Sequence, residues 1–336
     1  MIKNNVYPFC AIVGQEDMKL ALTLNLINPA LGGVLIRGEK GTAKSTAVRG
    51  LSNLMEEVEV IRGCKFHCRP GSGILCSDCA KKTNPETVMY KRRVVELPVS
   101  ATEDRVVGAL NIEHAIKKGE KLFEPGILAE ANGNTLYVDE INLLDDHIVD
   151  VLLDAAAMGV NTVEREGVSY IHPAKFVLVG TMNPEEGDLR PQLLDRFGLV
   201  VEIRGEQDIA KRSELIRRRM EFEHSPEDFV HRWSSEEEKL KAKIKNAQVM
   251  LEDVVVSEDI LVCAAKIGAA LHVDGHRADI TLLKTARTLA AFEGSERVSR
   301  DHIIASAKMV LPHRMRKTPF DTTNGLPTDW GAILDA

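Results

Sequence analysis

The chain has 336 residues, 44% of them hydrophobic and 28% charged, with a formal net charge of −7. That length accommodates one large domain and a smaller one, and the composition excludes a fibrous, disordered or membrane-embedded chain. The acidic total and the lack of any lysine/arginine-rich tail argue against nucleic acid as the main partner.

The opening segment, Met1 to Pro8, has neither an apolar signal core nor an arginine-rich transit pattern. No apolar run approaches the ~20 residues that cross a bilayer, so a cytoplasmic location with no membrane partner is expected. Val34-Leu35-Ile36 reads as a short strand that ends in a glycine-bearing loop, followed by a helix from Lys44 to Met55. Further strands are expected at Val94 to Leu97, Thr135 to Val138, Phe176 to Val179 and Leu199 to Ile203. Apolar strands alternating with helices predict an α/β domain with a mainly parallel sheet, covering residues 1–205. Two insertions interrupt it: a cysteine-rich stretch at 63–82, and a hairpin at 161–173 with its turn near Glu166-Gly167. A charged helical connector is expected over 206–254, with Pro226 as its breaker. An all-helical lid domain follows over 255–318, and then a loosely ordered tail over 319–336.

The loop after the first strand is Gly38-Glu39-Lys40-Gly41-Thr42-Ala43-Lys44-Ser45, running into Thr46. A glycine-bearing loop between strand and helix turns backbone N–H groups toward a phosphate at the positive end of the helix. These nine residues are the candidate nucleotide-binding set. Lys44 would reach the β- and γ-phosphates and the Ser45 hydroxyl would ligate Mg²⁺. Alanine stands where glycine usually precedes the lysine, so Ala43 is expected to avoid backbone angles that only glycine tolerates. The strand Leu136-Tyr137-Val138 ends in Asp139-Glu140. Two carboxylates ending a buried strand need something positive nearby. Asp139 suits the Mg²⁺ of MgATP, and Glu140 suits polarisation of an attacking water. Asn183 ends another apolar strand, where an amide positions such a water. Arg196, between Asp195 and Phe197, has the setting of an arginine finger that completes a neighbouring chain's site.

Cys64 and Cys68, then Cys76 and Cys79, form a C-x₃-C and a C-x₂-C pair. Four thiolates at this spacing suit a tetrahedral Zn²⁺ site. The same residues also suit a redox pair, an iron–sulfur cluster, or plain thiols on a surface insertion. Cys10 and Cys263 read as ordinary buried thiols.

Taken together, the sequence resembles the AAA+ ATPases, and within them the ATPase subunit of magnesium chelatase, in the helix-2-insert clade. The likeness runs through Ile12 to Glu16, Phe123 to Ala129, Tyr137 to Asp146, Val163 to Gly167, Gly180 to Gly198, Val273 to Asp279 and Leu311 to Arg316. It implies Asn183 as the sensor-1 residue, Arg196 as the arginine finger and Arg277 as the sensor-2 arginine. It places a helix-2 insertion within Gly108 to Leu128 and makes the 161–173 hairpin a pre-sensor insertion. Members of the family form rings, commonly hexamers, and work with an AAA+/integrin-like subunit and a porphyrin-binding catalytic subunit. The implied activity is ATP hydrolysis that drives insertion of magnesium, or of cobalt in closely similar enzymes. Thiol–disulfide control through cysteines at this place has been proposed for some members. ATP is expected to lie between the α/β and lid domains and against the next subunit. The rival readings are a remodeller that matures another metalloenzyme and, since replicative helicases carry similar hairpins, a nucleic-acid motor. Against the latter, the hairpin offers only Glu164, Arg165 and Glu166 at its tip.

Overall fold

In the chain's computed structural model, residues 5–111, 122–165, 168–273, 275–315, 330 and 333 are described. The expected turn at Glu166-Gly167, the middle of the expected helix-2 insertion and nearly all of the expected tail lie outside them. The strands are β1 (Val34–Gly38), β2 (Val58–Ile61), β3 (Thr87–Tyr90), β4 (Val94–Leu97), β5 (Gly108–Asn111), β6 (Leu122–Pro125), β7 (Thr135–Val138), β8 (Val160–Arg165), β9 (Val168–Pro173), β10 (Val177–Met182) and β11 (Leu199–Ile203). The helices of the first part are α1 (Glu16–Ile27), α2 (Lys44–Leu54), α3 (Ser77–Ala80), α4 (Glu103–Val107), α5 (Ile127–Ala131), α6 (Asp146–Met158) and α7 (Pro191–Leu194). Then come α8 (Ile209–His224), α9 (Pro226–Met250), α10 (Glu258–Ala270), α11 (Arg277–Glu293) and α12 (Arg300–Val310).

The five predicted strands make one parallel sheet in the order β11-β1-β10-β7-β4. Its strands are apolar on both faces because helices cover both. Alternation then sorts the side chains. Val34, Ile36, Val177, Val179, Leu199 and Val201 join a core on one face, and Leu35, Leu178, Val200, Leu136 and Val138 join a core on the other. The first core also contains Ile260, Leu282, Leu289, Ile303 and Val310 of α10–α12. The helical lid and the sheet are therefore built on continuous apolar packing.

The charged connector breaks where its proline predicts. Ser225 separates α8 from α9, and Pro226 takes the first helical position, where a missing N–H costs nothing. Asp208 caps α8 by accepting from the Lys211 amide at 2.9 Å. A capping box of Ser299 and His302 opens α12. The antiparallel pair β5–β6 falls in the stretch expected to hold the helix-2 insertion, β8–β9 falls in the expected hairpin, and β2–β3 flank the cysteine stretch. No helix among the described residues is long and apolar enough to cross a membrane.

Candidate active site

The carboxyl ends of β1, β7 and β10 converge, so the loop after β1 and the acidic pair after β7 meet at one end of the sheet. Gly38 lies so close to β11 that a Cβ there would meet the Ile203 carbonyl oxygen at 2.3 Å. Gly41 has φ +80° and faces open space, which leaves the loop backbone bare. Ala43 sits at φ 64°, ψ 18°, just before the first residue of α2. The expectation that it avoids glycine-type angles is therefore corrected: the tight entry into α2 holds an alanine in the left-handed region. Lys44 donates to the backbone oxygens of Gly38 and Glu39, the latter at 2.9 Å. Burial lowers its pKa, against the pull of Asp139 and Glu140.

Asp139 Oδ1 accepts from the Tyr137 hydroxyl at 2.7 Å and from the Thr181 hydroxyl at 2.5 Å. Tyr137 also lies 2.9 Å from Ser45 Oγ. A phenol has one proton, and giving it to the carboxylate leaves its oxygen to accept from Ser45. Burial is the main cause of Tyr137's raised pKa, so it stays a donor. Ser45 and Asp139 thus present hard oxygen donors that fit a Mg²⁺ ion. Glu140 follows at φ 52°, with its amide bonded to Thr181 Oγ1 at 3.2 Å. Its carboxylate lies 3.9 Å from Lys40 Nζ, which also pairs with Glu186. Asn183 is 3% exposed, and its side chain caps the turn Pro184–Glu186 through the Glu185 amide at 3.3 Å.

Arg196 and Arg277 lie elsewhere. Arg196 pairs with Asp150 and Asp154 of α6. Arg277, opening α11, holds Asp195 at 2.8 Å. The Asp195–Gly198 segment enters β11 from its amino end, where the Gly198 amide bonds the Gly32 carbonyl just before β1. Because β1 and β11 are parallel and in register, these arginines stand one strand length from the phosphate loop, about 15 Å for five residues.

A cavity of about 410 Å³ beside the loop is lined by Tyr7, Ile12, Val13 and Gln15, by Gly41 to Thr46, and by Gly205, Glu206, Leu215 and Arg219. The opening segment and α8 flank it, and none of its lining comes from α10–α12. Within one chain, Arg314 ties the end of the lid to Asp195–Gly198 at the amino end of β11, away from this cavity.

Sequence reasoning passed over Tyr137 and Thr181. Tyr137 is two residues before Asp139 on a strand and so shares its face, a legible signal. Thr181 was visible only as a hydroxyl in an apolar strand. Cys64, Cys68, Cys76 and Cys79 do come together, away from this site, with their sulfurs within 4.8 Å of one another.

Residues 33–197 match the family described as AAA domain (dynein-related subfamily), and residues 263–329 match the AAA lid domain. A Methanocaldococcus jannaschii protein named magnesium-chelatase subunit ChlI homolog is 54% identical over 96% of this chain and 88% of its own. The magnesium-chelatase 38 kDa subunit of Rhodobacter capsulatus is 51% identical, over 94% of this chain and 90% of its own. A cryo-EM-based structure of the complex between subunits BchI and BchD of magnesium chelatase matches with TM-score 0.56 and 49% identity, covering 94% of this chain and 98% of that one. A chain from Cytophaga hutchinsonii, at 17% identity and TM-score 0.62, shares the fold.

Proposed function

The chain belongs to the magnesium-chelatase ATPase-subunit family of AAA+ proteins, and from that premise we propose that it hydrolyses ATP at interfaces between copies of itself in a ring, a hexamer. The work drives a porphyrin-binding subunit to insert its metal substrate, magnesium or cobalt. An AAA+/integrin-like subunit is the proposed link, a reading supported by the likeness to a complex between subunits BchI and BchD of magnesium chelatase, and the cytoplasm is the proposed setting. The observation that carries the ring reading is the separation of the phosphate loop from Arg196 and Arg277 along β1. That separation supports a reading in which a neighbour's arginines serve each loop.

Gly38, Glu39, Lys40, Gly41, Thr42 and Ala43 cradle the phosphates by backbone N–H groups, and Thr46 extends the cradle into α2. Lys44 swings from its backbone carbonyls to the phosphates. Mg²⁺, held by Ser45 and Asp139, neutralises phosphate charge. Glu140 polarises the attacking water and Asn183 orients it. Arg196 and Arg277 share a face, joined through Asp195, and both reach into the next chain's site.

ATP turnover of the wild type beside Glu140→Gln and Arg196→Ala, over a range of protein concentrations, tests this. Turnover per chain should rise with concentration, and each variant should lose about 10³-fold or more. Mixing the two should restore part of the activity. A fully active Arg196→Ala, with turnover independent of concentration, refutes the shared site.

A further inference from the structure

The ATPase reading leaves the cysteine insertion unused, and its geometry is specific. Cys64 Sγ and Cys76 Sγ are 3.8 Å apart, and all four sulfurs lie within 4.8 Å of one another. Four thiolates at ~2.3 Å from a central ion define a tetrahedron with edges of ~3.8 Å. None of the four is in a disulfide, which needs sulfurs ~2.05 Å apart. Sulfurs this close leave no room between them for an iron–sulfur cubane.

The backbone is arranged for the same end. The Phe66 amide points to Cys64 Sγ at 3.4 Å and the Cys76 amide to Cys68 Sγ at 3.3 Å, the outer hydrogen bonds that orient and stabilise ligating thiolates. The turn at Gly63 (φ +72°) and the left-handed His67 (φ 48°) fold the first pair back on itself. Cys68, Cys76 and Cys79 are at most 2% exposed, and Cys64 stands nearer the surface. Lys65, Lys82 and Asp78 border the small cavity at the cluster. The insertion has little apolar core of its own: Ile61, Phe66 and Ala129 are the buried members besides the cysteines.

We infer that Cys64, Cys68, Cys76 and Cys79 bind one structural Zn²⁺ ion, and that this ion sets the platform on which both hairpin insertions rest. Four thiols give up four protons as four Zn–S bonds form, with no change of oxidation state. Phe66, between the ligands Cys64 and Cys68, is the hub of the platform. Its ring lies 6.3 Å from Phe123 of β6, 5.7 Å from Tyr170 of β9 and 4.7 Å from His172 of β9. Phe123 and Tyr170 stack on each other at 4.4 Å, and Asn132 Nδ2 donates to the Phe66 carbonyl at 2.7 Å. Fixing two ligands on either side of Phe66 fixes the ring on which β5–β6 and β8–β9 lean.

The test is elemental analysis of the purified full chain, with Cys68→Ser, Cys79→Ser and the unrelated Cys263→Ser beside it. One zinc per chain is expected in the wild type and in Cys263→Ser, and under about a tenth of that in the other two. Titrating the folded wild type with a mercurial should release zinc as four thiols react, and should speed tryptic cleavage in both hairpins. A wild type without zinc, a mass two hydrogens short from a disulfide within the cluster, or stoichiometric iron would each overturn the inference. So would zinc kept by both ligand variants. None of these readings depends on ATP turnover, so the zinc site and the ring reading stand or fall separately.

Discussion

Ala43 is where the phosphate loop departs from its usual composition, and the departure is strained. An L-residue in the left-handed region carries about 1–2 kcal/mol that glycine avoids, partly offset by glycine's greater freedom when unfolded. Ala43→Gly should therefore raise stability by about 1 kcal/mol, read as a higher guanidinium midpoint at unchanged slope. A lower midpoint would show that the loop relaxes around the alanine. Much at this scale was legible beforehand. Lys44, Ser45, Asp139 and Glu140 announce themselves because a phosphate loop and a strand-ending carboxylate pair each need a fixed order along the chain. The hydroxyls of Tyr137 and Thr181 did not, because their role depends on β7 lying next to β10, and strand neighbours are not written in sequence order.

Among the elements, the apolar joint between lid and sheet carries one densely hydrogen-bonded side chain. Arg314, just beyond α12 and 1% exposed, donates to the backbone oxygens of Asp195, Phe197, Gly198 and Val310 and to the Asp195 carboxylate. Burial pushes its pKa down to about 10 while Asp195 pulls upward, so it stays charged at neutral pH. Arg314→Met would take a buried donor from the Asp195, Gly198 and Val310 carbonyls, leaving Phe197 to His313 and the Asp195 carboxylate to Arg277, and should cost about 3–5 kcal/mol in denaturant unfolding. Arg314→Lys should recover little, since an ammonium cannot span partners set for a planar fork. A loss under about 1 kcal/mol would mean that the apolar packing of α10–α12 on α1 suffices. That α10–α12 are helices was legible from the periodicity of 255–318. Their docking was not: a 3.6-residue repeat tells which face is buried, never against what. The sheet fared better, because five apolar runs separated by crossovers allow only a mostly parallel arrangement.

For the molecule as a whole, two buried histidines contribute to the loss of stability in acid. His172 takes a hydrogen bond from Asn161 on Nε2 and gives one from Nδ1 to the Pro173 carbonyl, which is the pattern of a neutral ring. His313 Nε2 faces the Phe197 carbonyl, with Nδ1 buried and unpartnered. Burial lowers both pKa values, for His313 well below the ordinary range and with Arg314 adding to the shift. The unfolded chain takes up these protons near pH 6.5 while the folded chain refuses them. Their contribution is thus complete above that pH and is lost as the pH falls, at up to about 1.4 kcal/mol per unit for each ring. Unfolding midpoints measured from pH 8 to 5 should hold steady and then drop below about 6.5, with His313→Asn giving a shallower drop. An equally steep drop in that variant would assign the loss to other groups.

The proposed ring also sets a rule of counting. In it the phosphate loop of one copy meets the arginines of the next, a head-to-tail contact that repeats around the circle. An open arc of such chains always has one complete site fewer than it has members, plus a bare loop at one tip and idle arginines at the other. Only closure abolishes both tips at once. On the proposed shared site, catalytic yield per chain climbs along a growing arc and makes its last step when the circle closes.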